Sequence, residues 1–345
     1  MTRLVIRKSL AEFAKEHEGM SEKAAARSVP PGSWLQMLPP GVRELTLQAA
    51  GPLLQELEEI RLRIGRPLLF RIGLQEYTVD HKGRPTGRLN EGYCVTRADL
   101  ERTLQILSQS SLYAWEEELR NGFITIPGGH RIGITGRAVL DKGQVKTLKN
   151  ISGLNFRISR EIIGCSEEVL PYLIREGQVL HTLIVSAPQC GKTTLLRDLI
   201  RQLSNGNGAL GWSGVNVGLV DERSEIAGMY LGEPQYDLGV RTDVLDACPK
   251  AEGMMMLIRS MSPRVIATDE IGRKEDVLAI NHALQAGVSV LTTVHGSSYE
   301  ELRQRPILQE LLAWKFFDRL VFLSRRKGPG TLEAVLDGKT GERVK

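Results

Sequence analysis

The sequence predicts an α/β protein: a C-terminal domain built on a mostly parallel sheet with helices on both faces, preceded by a smaller α+β domain. Three observations predict it. An apolar run, LHTLIVSA, feeds a Gly-Lys-Thr turn and then a helix-forming stretch. Further apolar runs (VNVGLVDE, RVIATDE, VSVLTTVH) alternate with helix-forming ones (TTLLRDLIRQLS, GMMMLIRSM, EDVLAINHALQAG). The apolar runs are also near-continuous, as strands covered on both faces must be, whereas a strand with one wet face alternates. A length of 345 residues leaves room for two domains of ordinary size.

The elements follow in order. Residues 1–27 read as a polar, highly charged helix, and 28–41 (SVPPGSWLQMLPPG) holds two Pro-Pro pairs that interrupt regular structure. Residues 1–41 are therefore expected to be an appendage and Pro-rich linker. Over 42–160, helical stretches (LQAAGPLLQELEEIRLRI and RADLERTLQILSQSSLYAWEEELRNG) are interleaved with short alternating runs (FITIPGG, HRIGITGRAVL), which predicts the α+β domain. The segment 161–178, EIIGCSEEVLPYLIREGQ, reads as a connector helix. The second domain then spans 179–345 and closes with FDRLVFLSRRKGPGTLEAVLD, a hairpin around a Gly-Pro-Gly turn.

Composition narrows the function. Hydrophobic residues make up 41% and charged residues 25%, the balance of a folded protein rather than a disordered one. No apolar stretch reaches the roughly 18–20 residues that span a bilayer, and the N-terminus is too charged for a signal peptide. A cytoplasmic protein is expected, with no direct membrane span and any membrane link made through partners. The formal charge of +4, from 45 basic and 41 acidic residues, is too small to dictate a nucleic-acid partner. Four scattered cysteines without a CxxC pair suit reduced thiols.

The chemistry concentrates at strand ends. Ser186, Ala187, Pro188, Gln189, Cys190, Gly191, Lys192 and Thr193, with Thr194 opening the helix, read SAPQCGKTT between a strand and a helix, the context of a P-loop. Backbone N–H groups would surround the phosphates of ATP, Lys192 would neutralise them, and the Thr193 hydroxyl would bind Mg²⁺. Ser186 stands where the usual pattern has Gly. RVIATDE ends a strand in Asp269 and Glu270, a Walker B pattern at the sheet edge where open α/β proteins bind ligands. Asp269 would hold the Mg²⁺ shell and Glu270 would polarise the attacking water. A second acidic strand end carries Asp221, Glu222 and Glu225. The strand VSVLTTVHG ends in Thr292, Thr293 and His295, where a hydroxyl or imidazole could sense the γ-phosphate. The remaining histidines have no metal spacing.

In this order, P-loop, acidic box (DERSE), Walker B (GMMMLIRSMSPRVIATDE) and histidine box (TTVHG), the sequence resembles the secretion and pilus-motor ATPases, which include the VirB11-like and pilus-retraction motors. The N-terminal segments RLRIGRPLLFRI, GHRIGITGR and LNFRISR are similar to the arginine-bearing strands of that family. A narrower resemblance, through SAPQCGKTTLLRDLIR, GLVDERSEIAG and ATDEIGR, is to the stage III sporulation AA family of endospore-forming bacteria and covers roughly residues 45–345. The resemblance implies a RecA-like P-loop ATPase core, a homo-oligomer that works as a hexamer, and a place on the mother-cell side of the sporulation channel. There it would energise a complex of integral membrane proteins during endospore formation. It also makes Glu225 the closing acid of the acidic box, His295 the histidine-box residue, and Arg131, Arg157 and Arg160 arginines that meet nucleotide from the N-terminal domain. Arg137, Arg241 and Arg259 are weaker candidates. Many secretion ATPases have Gly before the Walker B Glu where this chain has Asp269, an arrangement nearer to RecA-like and AAA-type enzymes. That leaves both Glu225 and Glu270 as the main base, with Glu270 preferred.

A rival reading is a RecA-like ATPase acting on nucleic acid. Low aromatic content, 5%, and the near-balanced charge argue against it. A small-molecule kinase or GTPase fits less well: the NKxD guanine signature is missing, and a Glu poised for water is out of place where water must be excluded.

Overall fold

The computed structural model describes residues 32–73, 75–108 and 115–345. The helix expected over 1–27 lies outside the described residues. The chain divides into two compact units, Met1–Ser159 and Arg160–Lys345.

The first unit is built on a seven-stranded sheet in which every pairing is antiparallel, in the order β4-β3-β2-β1-β7-β6-β5. Its strands are β1 (Glu59–Arg63), β2 (Leu69–Ile72), β3 (Gln75–Val79), β4 (Pro85–Thr86), β5 (Phe123–Ile126), β6 (His130–Asp141) and β7 (Gln144–Arg157). One face packs a core of Ile60, Leu62, Phe70, Val79, Ile132, Leu154 and Phe156 against helices Pro40–Ala50 and Arg97–Ser108. The opposite face carries the alternate residues, among them Glu59, Arg61, Arg71, Arg131 and Arg157.

Two sequence expectations are corrected here. The linker assigned to 28–41 does not stop outside the fold: Trp34 and Leu38 are buried in the core of the first unit. The second Pro-Pro pair sets Pro39 at the N-cap and Pro40 at the first turn of helix Pro40–Ala50, where a missing N–H costs nothing. The helix expected to run on through EEIRLRI ends at Gly51, which has φ +43 and is followed by Pro52. Beyond it the period-2 pattern wins: Ile60 and Leu62 face the core while Glu59, Arg61 and Arg63 take the other face, making β1.

In the second unit the expected connector helix over 161–178 is a 3-10 turn, Leu170–Tyr172, followed by the two-residue strands β8 (Ile174–Arg175) and β9 (Gln178–Val179). Pro171 and the positive-φ residues Gly164, Glu176 and Gly177 prevent a longer helix. Val169, Leu170 and Leu173 belong to this unit's core.

The main sheet has the order β12-β11-β13-β14-β10-β15-β16. Strands β10 (Thr182–Ser186), β11 (Val217–Asp221), β12 (Thr242–Asp246), β13 (Val265–Glu270), β14 (Ser289–His295) and β15 (Arg319–Ser324) are parallel to their neighbours. Only β16 (Thr331–Asp337) runs antiparallel, closing the expected C-terminal hairpin. Alternate residues of one strand enter opposite layers. Ile184 joins the core under helix Lys192–Asn205, while Leu183 and Val185 join the core under helices Lys250–Met261, Lys274–Gln285 and Pro306–Ala313. Two covered faces explain why these strands are apolar throughout. The four cysteines are free thiols, and among the described residues no helix is long and apolar enough to cross a membrane.

Candidate active site

The C-terminal ends of β10, β14 and β13, three adjacent strands, gather most of the residues singled out from the sequence. Strand β10 is buried from end to end, and the chain turns from Ser186 through Ala187, Pro188, Gln189, Cys190 and Gly191 into helix Lys192–Asn205. Gln189 and Gly191 both have positive φ, 58° and 88°. Glycine is required at 191 for a second reason. A Cβ there would lie 2.8 Å from the backbone nitrogen of Gly330, in the β15–β16 turn, whose N–H donates to the Cys190 carbonyl at 2.9 Å. The departure at Ser186 is accommodated: it is buried, and its hydroxyl donates to the Ala187 carbonyl.

Lys192 is 8% exposed and folds back into the loop. Its ammonium donates to the carbonyls of Ser186 and Ala187, 3.1 Å each, and lies 2.8 Å from His295 Nδ1. The other ring nitrogen, Nε2, is 2.9 Å from Glu270 Oε2. An ammonium can only donate and a carboxylate can only accept, so one tautomer serves both ends: Nδ1 accepts from Lys192 and Nε2–H donates to Glu270. Imidazole therefore joins Lys192 to Glu270 in a single chain. Burial lowers the Lys192 pKa, with Glu270 and Cys190 opposing it.

A β-bulge aims the acidic pair. The β13–β14 register shifts between Ala267 and Glu270, and Thr292 Oγ donates to the Asp269 carbonyl at 2.6 Å, satisfying a backbone acceptor within the irregularity. Beyond it, Asp276 accepts from the backbone N–H groups of Gly272 and Arg273 and fixes the exit turn.

Asp269 meets a partner that the sequence did not disclose. Lys250, 9% exposed at the first turn of helix Lys250–Met261, lies 3.1 Å from Asp269 Oδ1 and 2.5 Å from Glu222 Oε2. Burial opposes its charge, but the two carboxylates prevail and raise the Lys250 pKa. For Asp269 the balance is reversed: burial raises its pKa although Lys250 pulls it down. One signal was legible, since a lysine directly after Pro249 in a helix's first turn sits against the helix dipole and needs a compensating anion.

The acidic box is a turn held from beneath. Asp221, wholly buried at the end of β11, accepts from the backbone N–H groups of Glu225, Ile226 and Ala227 at 2.8–2.9 Å. Burial raises its pKa to about 6, with those hydrogen bonds opposing. Arg197, buried on the P-loop helix, donates to the carbonyls of Ile226 and Glu225 and stacks on Tyr236. Glu225 is exposed on this turn.

Thr193 and Thr194 are half-buried at the start of the helix. Among the described residues no cluster of three or more His, Cys, Asp or Glu side chains could hold a metal unaided. Mg²⁺ needs no such cluster, because that ion takes one or two protein oxygens and completes its shell with phosphate and water. Arg131 and Arg157 lie in the first unit, directly opposite each other on β6 and β7, with Arg131 3.7 Å above the Phe123 ring. Arg160 begins the second unit and offers its carbonyl to Arg197; Arg241 donates to the Ser204 carbonyl.

Solved structures that share this fold include two ATPases. The Yersinia pseudotuberculosis ATPase DotB aligns over 88% of this chain and 81% of its own at TM-score 0.55 and 13% identity. The Legionella pneumophila ATPase DotB aligns over 86% and 77% at TM-score 0.51 and 14% identity. At the level of sequence, residues 33–344 match the family model "Sporulation stage III, protein AA", and the chain belongs to that family. It is 49% identical to stage III sporulation protein AA of Bacillus subtilis (strain 168) over 283 residues, 82% of this chain and 87% of that protein.

Proposed function

We propose that this chain is a Mg²⁺-dependent ATPase, a secretion-type motor with a RecA-like core that energises a membrane channel complex during endospore formation. The observation that carries it is the Lys192–His295–Glu270 chain across three adjacent strand ends. In this reading Lys192 exchanges the carbonyls of Ser186 and Ala187 for phosphate oxygens. That exchange releases its hold on His295 Nδ1. The imidazole then repositions Glu270, whose carboxylate accepts a hydrogen bond from the attacking water, so occupancy of the loop and readiness of the base are linked. Mg²⁺ would be held by Thr193 and Asp269 and would neutralise charge on the phosphates. Glu225 shapes the acidic turn, and Glu270 is the main base. Arg131 and Arg157 supply positive charge to the transition state, and the assembly is a hexamer on the cytoplasmic, mother-cell side, bound to integral membrane proteins of the channel.

The test is a pair of variants. Lys192→Ala should lose ATP binding and turnover, and full activity in it would refute the phosphate site. Glu270→Gln should keep ATP binding while kcat falls at least ~10²-fold, the usual loss when a general base is removed. A comparable fall in Glu225→Gln, with Glu270→Gln active, would transfer the base to the acidic box.

A further inference from the structure

The hairpin of β6 and β7 runs past the rest of its sheet. Strand β5 stops pairing with β6 at Gly133, and β1 stops pairing with β7 at Gly153. The two long strands continue alone through Arg137↔Lys149, Ala138↔Leu148, Val139↔Thr147, Leu140↔Val145 and Asp141↔Gln144. The root bends at a register shift between Thr135 and Arg137, where a Cβ on Gly136 would lie 2.8 Å from the Lys149 carbonyl oxygen and Asn150 takes φ +48. Leu148 and Ile151 lean on the core and anchor the root. At the other end Lys142 and Gly143, both with positive φ, make the tight turn.

Three features of this arm are costly for a ribbon surrounded only by water. A two-stranded hairpin is marginal without a third strand or a covering layer. Its tip shows Leu140 at 63% and Val145 at 38% exposure, register partners beside the turn. Arg137 also stands directly opposite Lys149, a like-charge pair that weakens the ladder unless an anion lies against it. Arg137, Lys142, Lys146 and Lys149 against Asp141 give a charge of +3 in thirteen residues, whereas the whole chain carries +4.

We propose that the β6–β7 arm docks on an anionic phospholipid surface, with Leu140 and Val145 entering the headgroup layer and Lys142, Lys146, Lys149 and Arg137 facing the lipid phosphates. A narrow tip with two exposed apolar side chains and Lys142 and Lys146 beside them matches a charged plane above an apolar layer. A stable protein interface needs about 800 Å² on each partner, and two apolar side chains on a narrow tip do not make its centre. The chain would thus touch the membrane itself, without spanning it and independently of the nucleotide site.

The experiment is co-sedimentation of the full chain with phosphatidylcholine vesicles, with and without phosphatidylglycerol. Wild type should bind only the anionic vesicles and should release as salt rises. Replacing Lys142, Lys146 and Lys149 by Gln should weaken binding roughly 100-fold, at about five-fold per cation removed. The triple Lys→Arg variant should bind like wild type, and Leu140→Ser with Val145→Ser should weaken binding while the charge is unchanged. Thermal melting and ATP binding should be the same in all four, since these side chains are exposed. Wild type that ignores anionic vesicles overturns the proposal, as does a Gln variant that binds like wild type. Capture of an acidic protein through the arm in the absence of any lipid binding would overturn it in favour of a protein partner.

Discussion

Lys250 compensates two acids at once, Glu222 of the acidic turn and Asp269 of β13, and its removal would take away the cation that lies between these two part-buried carboxylates. Breaking a buried pair by deleting one member costs more than the pair contributes, because the remaining charges are stranded. Lys250→Gln should therefore destabilise the protein by about 3 kcal/mol in a denaturant titration, where an exposed lysine would give almost nothing. Asp221 makes a prediction with a pH signature. Its pKa is about 6 folded and near 3.8 unfolded, so between those values the folded state holds the extra proton. Its contribution to stability is thus full below about pH 4, falls as pH climbs to about 6, and is constant above. The difference in unfolding free energy between wild type and Asp221→Asn should follow this slope across pH 4–7 and level off above it.

At the scale of elements, the P-loop depends on a segment 139 residues away in sequence: Gly330, in the C-terminal hairpin turn, caps the Cys190 carbonyl and leaves no room for a side chain at 191. The acidic turn depends likewise on the P-loop helix, through Arg197. These contacts explain why the loop, the acidic box and the hairpin belong to one rigid frame even though each looks like a separate motif along the chain. The segment 33–38 makes a further prediction. Trp34 is 3% exposed among Leu38, Val42 and the β-sheet core, so Trp34→Ala should cost about 3–5 kcal/mol in the stability of the first unit. A chain beginning at residue 42 should fail to give a cooperative unfolding transition for that unit. An unaffected melt would return 33–41 to the status of a linker.

At the scale of the whole molecule, the proposed motor requires copies of this chain to assemble. Light scattering should give six times the 38.3 kDa chain mass in the presence of Mg-ATP, and a particle that stays monomeric at all nucleotide concentrations would count against the ring. The sequence by itself determined the α/β character of the second unit, the positions of β10, β11, β13 and β14 and the helices between them. It also placed the SAPQCGKT turn, Asp269, Glu270 and His295 at strand ends, because a strand buried on both faces and a Gly-Lys turn after it leave local patterns. It did not foresee that Trp34 and Leu38 would pack into the first unit or that 161–178 would hold only a short turn, because prolines mark a helix start or a turn only once the packing around them is known. Tertiary structure alone decided that His295 bridges Lys192 and Glu270, that Lys250 stands between Glu222 and Asp269, and that Gly330 closes on the P-loop. Each of those is a meeting of side chains or backbone far apart in sequence, and the order of strands in a sheet, which sets such meetings, is written in no local pattern of residues.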